Sequence, residues 1–531
     1  MCLQKQQKKQ QKKQQQKKQN KLQVFSPYLI HNLYFSLVYG NQDLRKNRMS
    51  HLLLYFLACG PKEPTVTTPT EPIASRTYTE APQPLEPRPF QIPSLEKGTL
   101  SNGIEVVVSN NTEIPKVNIF ITFGGGSWSD SNDQFGLAQN TMDMIDEGTS
   151  EYNAATLATE QKKLAASISS SSGLDGSSIS LSSLQKNLPQ SLDLFAKVVL
   201  DPVFPSEDWE KMRKKKIQNV QADKKDPSKI AYQISTYLLY GDYYAGRHMT
   251  EALYQNITTE QMKVWYTDHI TADQAKIWVG GAVTLEEVLP LLEERFGSWS
   301  TKGKTLPKKP SVDNIKQIPS TQIYFHDIAG SQQSVLRLGH FVGNRTDETA
   351  PALLLANQSI GGMFTARINM NLREDKGWTY GARSYLSDNY LPSVFVASSS
   401  VVTPHTADSV REIVTEIRNA KDSKPITQEE LDNGRGYFLG TWPLKFENAT
   451  YLLNQNIEQE RYDLPDDWIT GYPERLRAVT LEQAQNSWNS IIDEDNMIIV
   501  IVGDLAATKD SLLELGYSIQ QVDAQGKPIE E

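Results

Sequence analysis

Gly-Leu-Ala-Gln-Asn-Thr-Met-Asp-Met-Ile-Asp-Glu-Gly-Thr, residues 136–149, is the stretch that decides the fold assignment of this chain. On a helix, Gln139 and Asp143 fall one turn apart on the same face, with Met142 between them in sequence. The Gln139 amide is a weak neutral metal ligand, the Met142 thioether is no base, and Asp143 alone does not hold Zn²⁺ tightly. The chemistry of a metal site is therefore missing from this segment.

The segment resembles the zinc helix of the insulinase/pitrilysin family of metallopeptidases (the inverzincins), which reads G-x-A-H-x-x-E-H-x-x-x-x-G-T. In active members two histidines bind zinc, and the glutamate between them polarises water. The corresponding positions are Gln139, Met142 and Asp143. A further glutamate ligand, from a second helix, would fall at Gln218 or Asn219, and both are amides. The resemblance implies a degenerate zinc site at Gln139, Met142, Asp143 and Asn219, with no metal held by this chain.

Residues 366–382 resemble the second signature of the same family, S-R-L-x-x-x-L-R-E-x-x-G-x-x-Y, and follow the Gly-rich turn at 361–364. Arg373 and Tyr380 stand seven residues apart, as in the family. The resemblance implies that this pair holds the substrate backbone and stabilises the oxyanion, the usual task of preorganised donors. The alternative is an exposed arginine in an ion pair and a tyrosine packed in the core.

The charge of the chain is distributed unevenly. The 531 residues carry a formal net charge of −9. Eleven Lys/Arg and one acidic residue precede Cys59, which leaves 43 basic and 62 acidic residues in the remainder, a net charge of −19. An acidic body argues against nucleic-acid binding.

The N-terminal segments predict export and a lipid anchor. Residues 1–48 form a Gln/Lys-rich leader that begins with a run unable to fold alone, and a start at Met49 would remove it. Residues 49–58 are interpreted as a signal segment ending at Cys59, the lipidation site; an ordinary apolar start with an incidental cysteine is the alternative. Residues 59–94 are rich in Pro, Thr and Glu, as is typical of a tether. We expect an outer-membrane lipoprotein on the periplasmic side of a bacterial cell envelope.

The folded body is predicted to be an internal duplication. The pattern helix, turn, buried strand, Val-Gly, helix occurs at residues 259–296 and again at 481–515. A few strands alternating with long helices indicate an α+β fold. The family resemblance implies two homologous halves of mixed helix and antiparallel sheet, residues 95–304 and 305–525, forming a clam shell around a peptide cavity. The boundary is expected in the linker at 302–310.

Other chemistries find little support in the sequence. No two of the histidines have metal-ligand spacing; they stand at 31, 51, 248, 269, 326, 340 and 405. A zinc site built from scattered His and Asp is the alternative. His248 is interpreted as a packed loop histidine. The serine-rich stretch 177–183 alternates like a half-buried strand and lacks the G-x-S-x-G elbow of a nucleophilic serine. Phosphate, nicotinamide and covalent chemistry are not indicated.

The expected function is that of a non-catalytic subunit of a zinc metallopeptidase, inactive alone. Some bacterial members of the family divide the work between two similar chains, one with H-x-x-E-H and one with the arginine–tyrosine pair. We therefore expect a heterodimer with a homologous H-x-x-E-H subunit that holds the zinc, in which metal-activated water cleaves short unfolded peptides. Peptides would add as a strand to a sheet edge. Val117–Phe123 is the candidate edge strand, and an interior position is the alternative. The rival hypothesis is a peptide-binding or structural assembly lipoprotein with no catalytic role.

Overall fold

The computed structural model describes residues 90–530, apart from 301, 302, 304, 307, 310–314, 316, 317 and 388–390. The leader, the signal segment, Cys59 and the tether up to residue 89 lie outside the described residues, as does part of the linker at 302–310. The interpretations of those segments therefore stay predictions.

Twelve strands of the described chain form two six-stranded sheets. The first half contributes β1 (Glu96–Thr99), β2 (Glu105–Asn110), β3 (Lys116–Phe123), β4 (Ser167–Ser172), β5 (Ser177–Leu184) and β6 (Lys276–Gly281). The second half contributes β7 (Gln322–Asp327), β8 (Gln333–Gly343), β9 (Thr379–Leu386), β10 (Ser393–Val402), β11 (Ile498–Gly503) and β12 (Ile519–Gln521).

Helices cover both sheets. Those of the first half are α1 (Leu137–Met144), α2 (Ala154–Lys163), α3 (Leu188–Leu200), α4 (Ser206–Asp223), α5 (Pro227–Tyr240), α6 (Glu251–Asn256), α7 (Thr259–His269) and α8 (Leu285–Phe296). Those of the second half are α9 (Ala350–Asn357), α10 (Arg367–Asn369), α11 (Thr406–Asn419), α12 (Gln428–Lys445), α13 (Ala449–Arg461), α14 (Tyr472–Ala478), α15 (Leu481–Ile491) and α16 (Leu505–Leu513). Two π-helical segments, Gln358–Gly362 and Met370–Asp375, extend α9 and α10.

The two halves share one topology in five of their six strands. The strand orders are β1-β2-β6-β3-β5-β4 and β12-β7-β11-β8-β10-β9, and the last five strands of each order correspond. The outermost strands differ, because β1 is the first strand of its half and pairs antiparallel with β2, whereas β12 is the last strand of its half and pairs parallel with β7. The pairs β2–β6 and β7–β11 are parallel, and the strands that follow them in each order pair antiparallel. The helices that precede β6 and β11 both begin with a reciprocal Thr–Gln capping box. The α+β fold and the internal duplication are thereby confirmed.

The edge-strand prediction for Val117–Phe123 is wrong. These residues lie in β3, which pairs with β6 on one side and with β5 on the other. The alternation of apolar and polar residues does not distinguish an edge strand from an interior one. It indicates how deeply each face of the strand is covered, but not which strands pair with it. The edge strands of the first sheet are β1 and β4.

The halves interlock by exchanging helices. Helix α5 of the first half packs on β8 and β11 of the second sheet, where Ile230 and Ile234 join Val500 and Val502 in one apolar cluster. Helix α13 of the second half packs on β2 and β6 of the first sheet. Each sheet is therefore completed by a helix from the other half.

Leu453 on α13 is the best probe of this exchange, because its fully buried side chain packs against Val107 and Trp278 of the first sheet. Leu453→Ala should lower the free energy of unfolding by about 2–5 kcal/mol. The substitution leaves a cavity between the two halves, and neither half can move to fill it without disturbing the other. Leu444→Ala, at an exposed position of the neighbouring helix α12, should change it by less than about 0.5 kcal/mol. Urea titrations of both variants provide the measurement, and equal midpoints would contradict the interlock.

Candidate functional site

Backbone constraints fix the N-terminus of α1, the helix that carries the predicted degenerate zinc site. Gly136 precedes the helix in the left-handed region, with φ 92°, and a Cβ there would collide with the sulfur of Met249. The buried Asp130 carboxylate accepts the Gly136 N–H at 2.9 Å and the Ala138 N–H at 3.1 Å. A small residue and a capping carboxylate thus fix the direction of α1, whichever side chains follow.

The metal-ligand positions of α1 hold an ion pair. Gln139 Nε2 donates to Asp143 Oδ1 at 3.3 Å, and Asp143 Oδ2 lies 2.5 Å from Lys216 Nζ of α4. The Lys216 ammonium also lies 6.0 Å from the centre of the Tyr254 ring. Met142 points into the core and is fully buried. The constellation is therefore an amide, a carboxylate and an ammonium, held between two helices.

Asn219 does not join this constellation. Asn219 and Gln218 are both exposed, and no hydrogen bond to α1 is found for either among the described residues. Lys216, one turn earlier on α4, is the residue that meets α1. No local pattern in the sequence marks Lys216, because it ends the basic run Arg213–Lys216, which is typical of a solvated helix face.

These residues do not fit zinc. The amide of Gln139 is a poor ligand, the Met142 sulfur is in the core, and the Asp143 carboxylate is already neutralised by an ammonium. Within the part of the chain that the structure describes, no three His, Cys, Asp or Glu side chains cluster closely enough to bind a metal ion.

An open strand lies beside α1. The edge strand β4 pairs with β5 on one side only, and its Ser170 hydroxyl donates to the Met142 carbonyl oxygen. Serines of β4 and β5 also bond across the pair, at 2.8 Å for Ser169–Ser180 and 3.2 Å for Ser171–Ser178. These serines complete a half-buried strand pair, as the alternation at 177–183 predicted.

Arg373 and Tyr380 come together on the second half. The Arg373 guanidinium carbon lies 4.6 Å from the centre of the Phe364 ring and 5.5 Å from that of Tyr380. Arg373 Nε also lies 3.3 Å from a carboxylate oxygen of Glu374. Tyr380, at the start of the edge strand β9, is 93% exposed, so the core position considered as an alternative is wrong for it.

Asn369 holds this platform in place. Its buried side chain donates to the Phe364 carbonyl oxygen at 2.7 Å and accepts the Ala382 N–H at 3.0 Å. The turn that carries Phe364 is thereby fixed to β9, which carries Tyr380. The arginine is thus presented between two rings by a braced segment.

The remaining candidates have structural roles. His248 Nε2 lies 2.7 Å from the Thr236 hydroxyl, and burial lowers the pKa of this histidine, in agreement with a packed loop position.

No helix among the described residues has both the length and the apolar character needed to cross a bilayer.

The comparisons with known proteins agree with this geometry. Residues 105–253 match the model of the insulinase family, peptidase family M16, and residues 256–436 match that of the peptidase M16 inactive domain. The two matches together cover more than half of the chain. The chain belongs to the M16 family.

Relatives share both halves of the M16 fold. An uncharacterized zinc protease of Bacillus subtilis, YmxG, is 21% identical over 417 residues, covering 77% of this chain and 98% of that protein. A non-peptidase homolog of Helicobacter pylori, also YmxG, is 21% identical over 415 residues, covering 76% and 92%. The M16 inactive domain structure from Pseudomonas fluorescens has a TM-score of 0.70 at 22% identity, covering 77% of this chain and 98% of that chain. This chain is thus a peptidase-like member of the M16 family.

The Asp143–Lys216 pair should be energetically coupled. Both side chains are about four-fifths buried, with exposures of 23% and 20%. Lys216→Met and Asp143→Asn should each destabilise the fold by leaving a partly buried charge, and the double variant should recover part of the loss. We expect a coupling of about 1–2 kcal/mol, between the values for exposed and buried pairs. Additive losses in a double-mutant cycle, measured by urea denaturation, would show that the pair is not coupled.

Asp130 should make the stability of the fold depend on pH. Burial raises the pKa of Asp130 to about 7, against opposing hydrogen bonds from the Ala138 and Gly136 amides. The folded state therefore binds more protons than the unfolded chain between about pH 4 and pH 7, and this contribution to stability is lost as pH rises through 7. Asp130→Asn should gain stability relative to the natural chain between about pH 5 and pH 8. A constant difference in urea midpoint across this range would contradict the assignment.

Proposed function

We propose that this chain is the non-catalytic subunit of a heterodimeric zinc peptidase, and that its Arg373 and Tyr380 complete an active site in the partner. The partner would be a homologous H-x-x-E-H chain that holds the zinc. The observation that carries the proposal is the contrast between an α1 helix without metal chemistry and a braced arginine–tyrosine platform at the surface.

The platform has the chemistry that the proposal needs. An arginine presents five N–H donors, and the contact with Glu374 occupies one side of the guanidinium. The rings of Phe364 and Tyr380 restrict the guanidinium before a ligand arrives, so less freedom is lost on binding. The exposed Tyr380 hydroxyl adds another donor. A peptide carbonyl that gains negative charge during cleavage is the group that such donors stabilise.

The edge strand β4 supplies a place for an extended peptide on this chain. No second strand pairs with its outer side, where the Ile168 N–H donates to the Gln161 side chain at 2.8 Å, and β4 borders α1 through the Ser170 contact with Met142. Strand addition would take place there, and not at β3, which is interior. The peptide-binding role proposed for the first half therefore belongs to β4.

Attachment to the membrane would use Cys59. The described chain begins at Phe90, whose ring lies 5.5 Å from that of Trp442 and 5.1 Å from that of Phe446 on the second half. The described end of the predicted tether, at Phe90, therefore packs on the second half. We place the complex on the periplasmic side of the bacterial envelope, held by the lipid anchor.

The second candidate function is a peptide-binding or assembly protein with no catalytic role. The match to the M16 inactive domain and the similarity to a non-peptidase homolog favour it. Both candidates need peptide or partner binding, but only the first needs Arg373 at a reacting centre.

The test uses the tagged chain purified with its companion from the envelope, assayed on a quenched peptide. Arg373→Ala should lower kcat of the chelator-sensitive cleavage by about 100-fold, as the loss of one oxyanion donor does, with the complex still assembled. Tyr380→Phe should also lower kcat, since it removes only the hydroxyl. Arg383→Ala, an exposed arginine later in β9, is the matched control and should leave turnover unchanged.

Two outcomes would count against the proposal. Unchanged turnover in the assembled Arg373→Ala complex would favour the assembly function. Recovery of the chain without any H-x-x-E-H companion would favour a tethered peptide binder.

A further inference from the structure

The Lys216 ammonium contacts the second predicted metal-ligand position of α1. Asp143 stands at the second ligand position of α1, and a zinc ion binds a carboxylate oxygen at about 2.0–2.2 Å. Lys216 Nζ lies 2.5 Å from Asp143 Oδ2, and the same carboxylate accepts the amide of Gln139, which stands at the first ligand position. The cation is therefore in contact with the cluster formed by both ligand positions.

We propose that Lys216 is the resident cation of this site, standing in the place of zinc, and that it excludes metal ions in addition to the loss of the ligands. The proposal does not depend on the partner or on peptide cleavage. It concerns only the contact between α1 and α4 in this chain.

Charge and burial give the proposal its physical basis. The ammonium is mostly covered, between Asp143 on one side and the Tyr254 ring on another, so solvent screens it poorly. A divalent ion next to it would face strong repulsion unless the lysine moved out or lost its proton. The ammonium also joins α1 to α4, as a metal shared by two helices would.

The geometry distinguishes Lys216 from its neighbours in the same basic run. Arg213 pairs with Glu210 at 2.6 Å on α4 itself, and Lys215 is exposed. Lys216 alone in this run is found bonded to α1. Lys215 is thus a matched control that carries the same charge on the same helix but points to solvent.

The experiment builds a metal-binding pair on α1 with and without the lysine. A chain carrying Gln139→His, in which Asp143 stays as the second ligand and as the partner of Lys216, is prepared with Lys216, with Lys216→Leu and with Lys215→Leu. Zinc stoichiometry is measured by elemental analysis, and zinc affinity by competition with a chelator. Lys216→Leu should raise the affinity at least about tenfold, and Lys215→Leu should change it by less than about threefold.

Either of two results would overturn the proposal. Equal zinc affinity with and without Lys216 would show that the lysine does not exclude the metal. Absence of zinc in the Lys216→Leu background, in a chain that remains folded by circular dichroism, would show that another feature does.

Hydrogen exchange of the natural chain tests the same assignment without the added histidine. Lys216→Leu should speed amide exchange in α1 and α4 at least about tenfold, because the tie between them is lost. Lys216→Arg should keep the protection by preserving the charge, and Lys215→Leu should leave it unchanged. Unaltered exchange in Lys216→Leu would overturn the proposed tie.

Discussion

The central strand of each sheet must be covered on both faces, and this requirement governs the architecture. All six residues of β11 are buried, and β6 is apolar over most of its length. Helices of the same half cover one face of each sheet, and the other face receives α5 or α13 from the opposite half. Neither half can bury its own central strand alone, so the two must fold as one body.

A buried polar contact adds specificity to this interlock. Asp175, in the turn between β4 and β5, accepts hydrogen bonds from Tyr244 at 3.1 Å and from Tyr462, which directly follows α13, at 3.3 Å. The turn that ends the open strand is therefore held by both halves. The position of β4 therefore depends on contacts from the second half as well as on its own half.

The sequence predicted the frame of the site better than its contents. Duplication, strand alternation and capping boxes are local patterns, and the structure confirms the fold that they indicate. The neighbours of a strand depend on the order of the sheet, which is why β3 was mistaken for an edge. The bond between Asp143 and Lys216 joins residues 73 apart in sequence, and no local pattern distinguishes Lys216 from the other cations of its run. Asn219 followed from a family spacing, but the helix meets α1 one turn earlier.

The Arg373 platform is hard to explain by the stability of the fold. Tyr380 is 93% exposed and Phe364 is 62% exposed, so neither ring gains much from burial. An exposed cation between two rings contributes only about 0.5–1 kcal/mol at each contact. Even so, both polar side-chain atoms of the buried Asn369 form hydrogen bonds that fix the turn carrying Phe364 to β9. Because β9 is the counterpart of β4, the edge strand that borders α1 in the first half corresponds to the edge strand that carries Tyr380 in the second. A braced, exposed arginine–tyrosine pair at that position is what the proposed contact with another molecule would need.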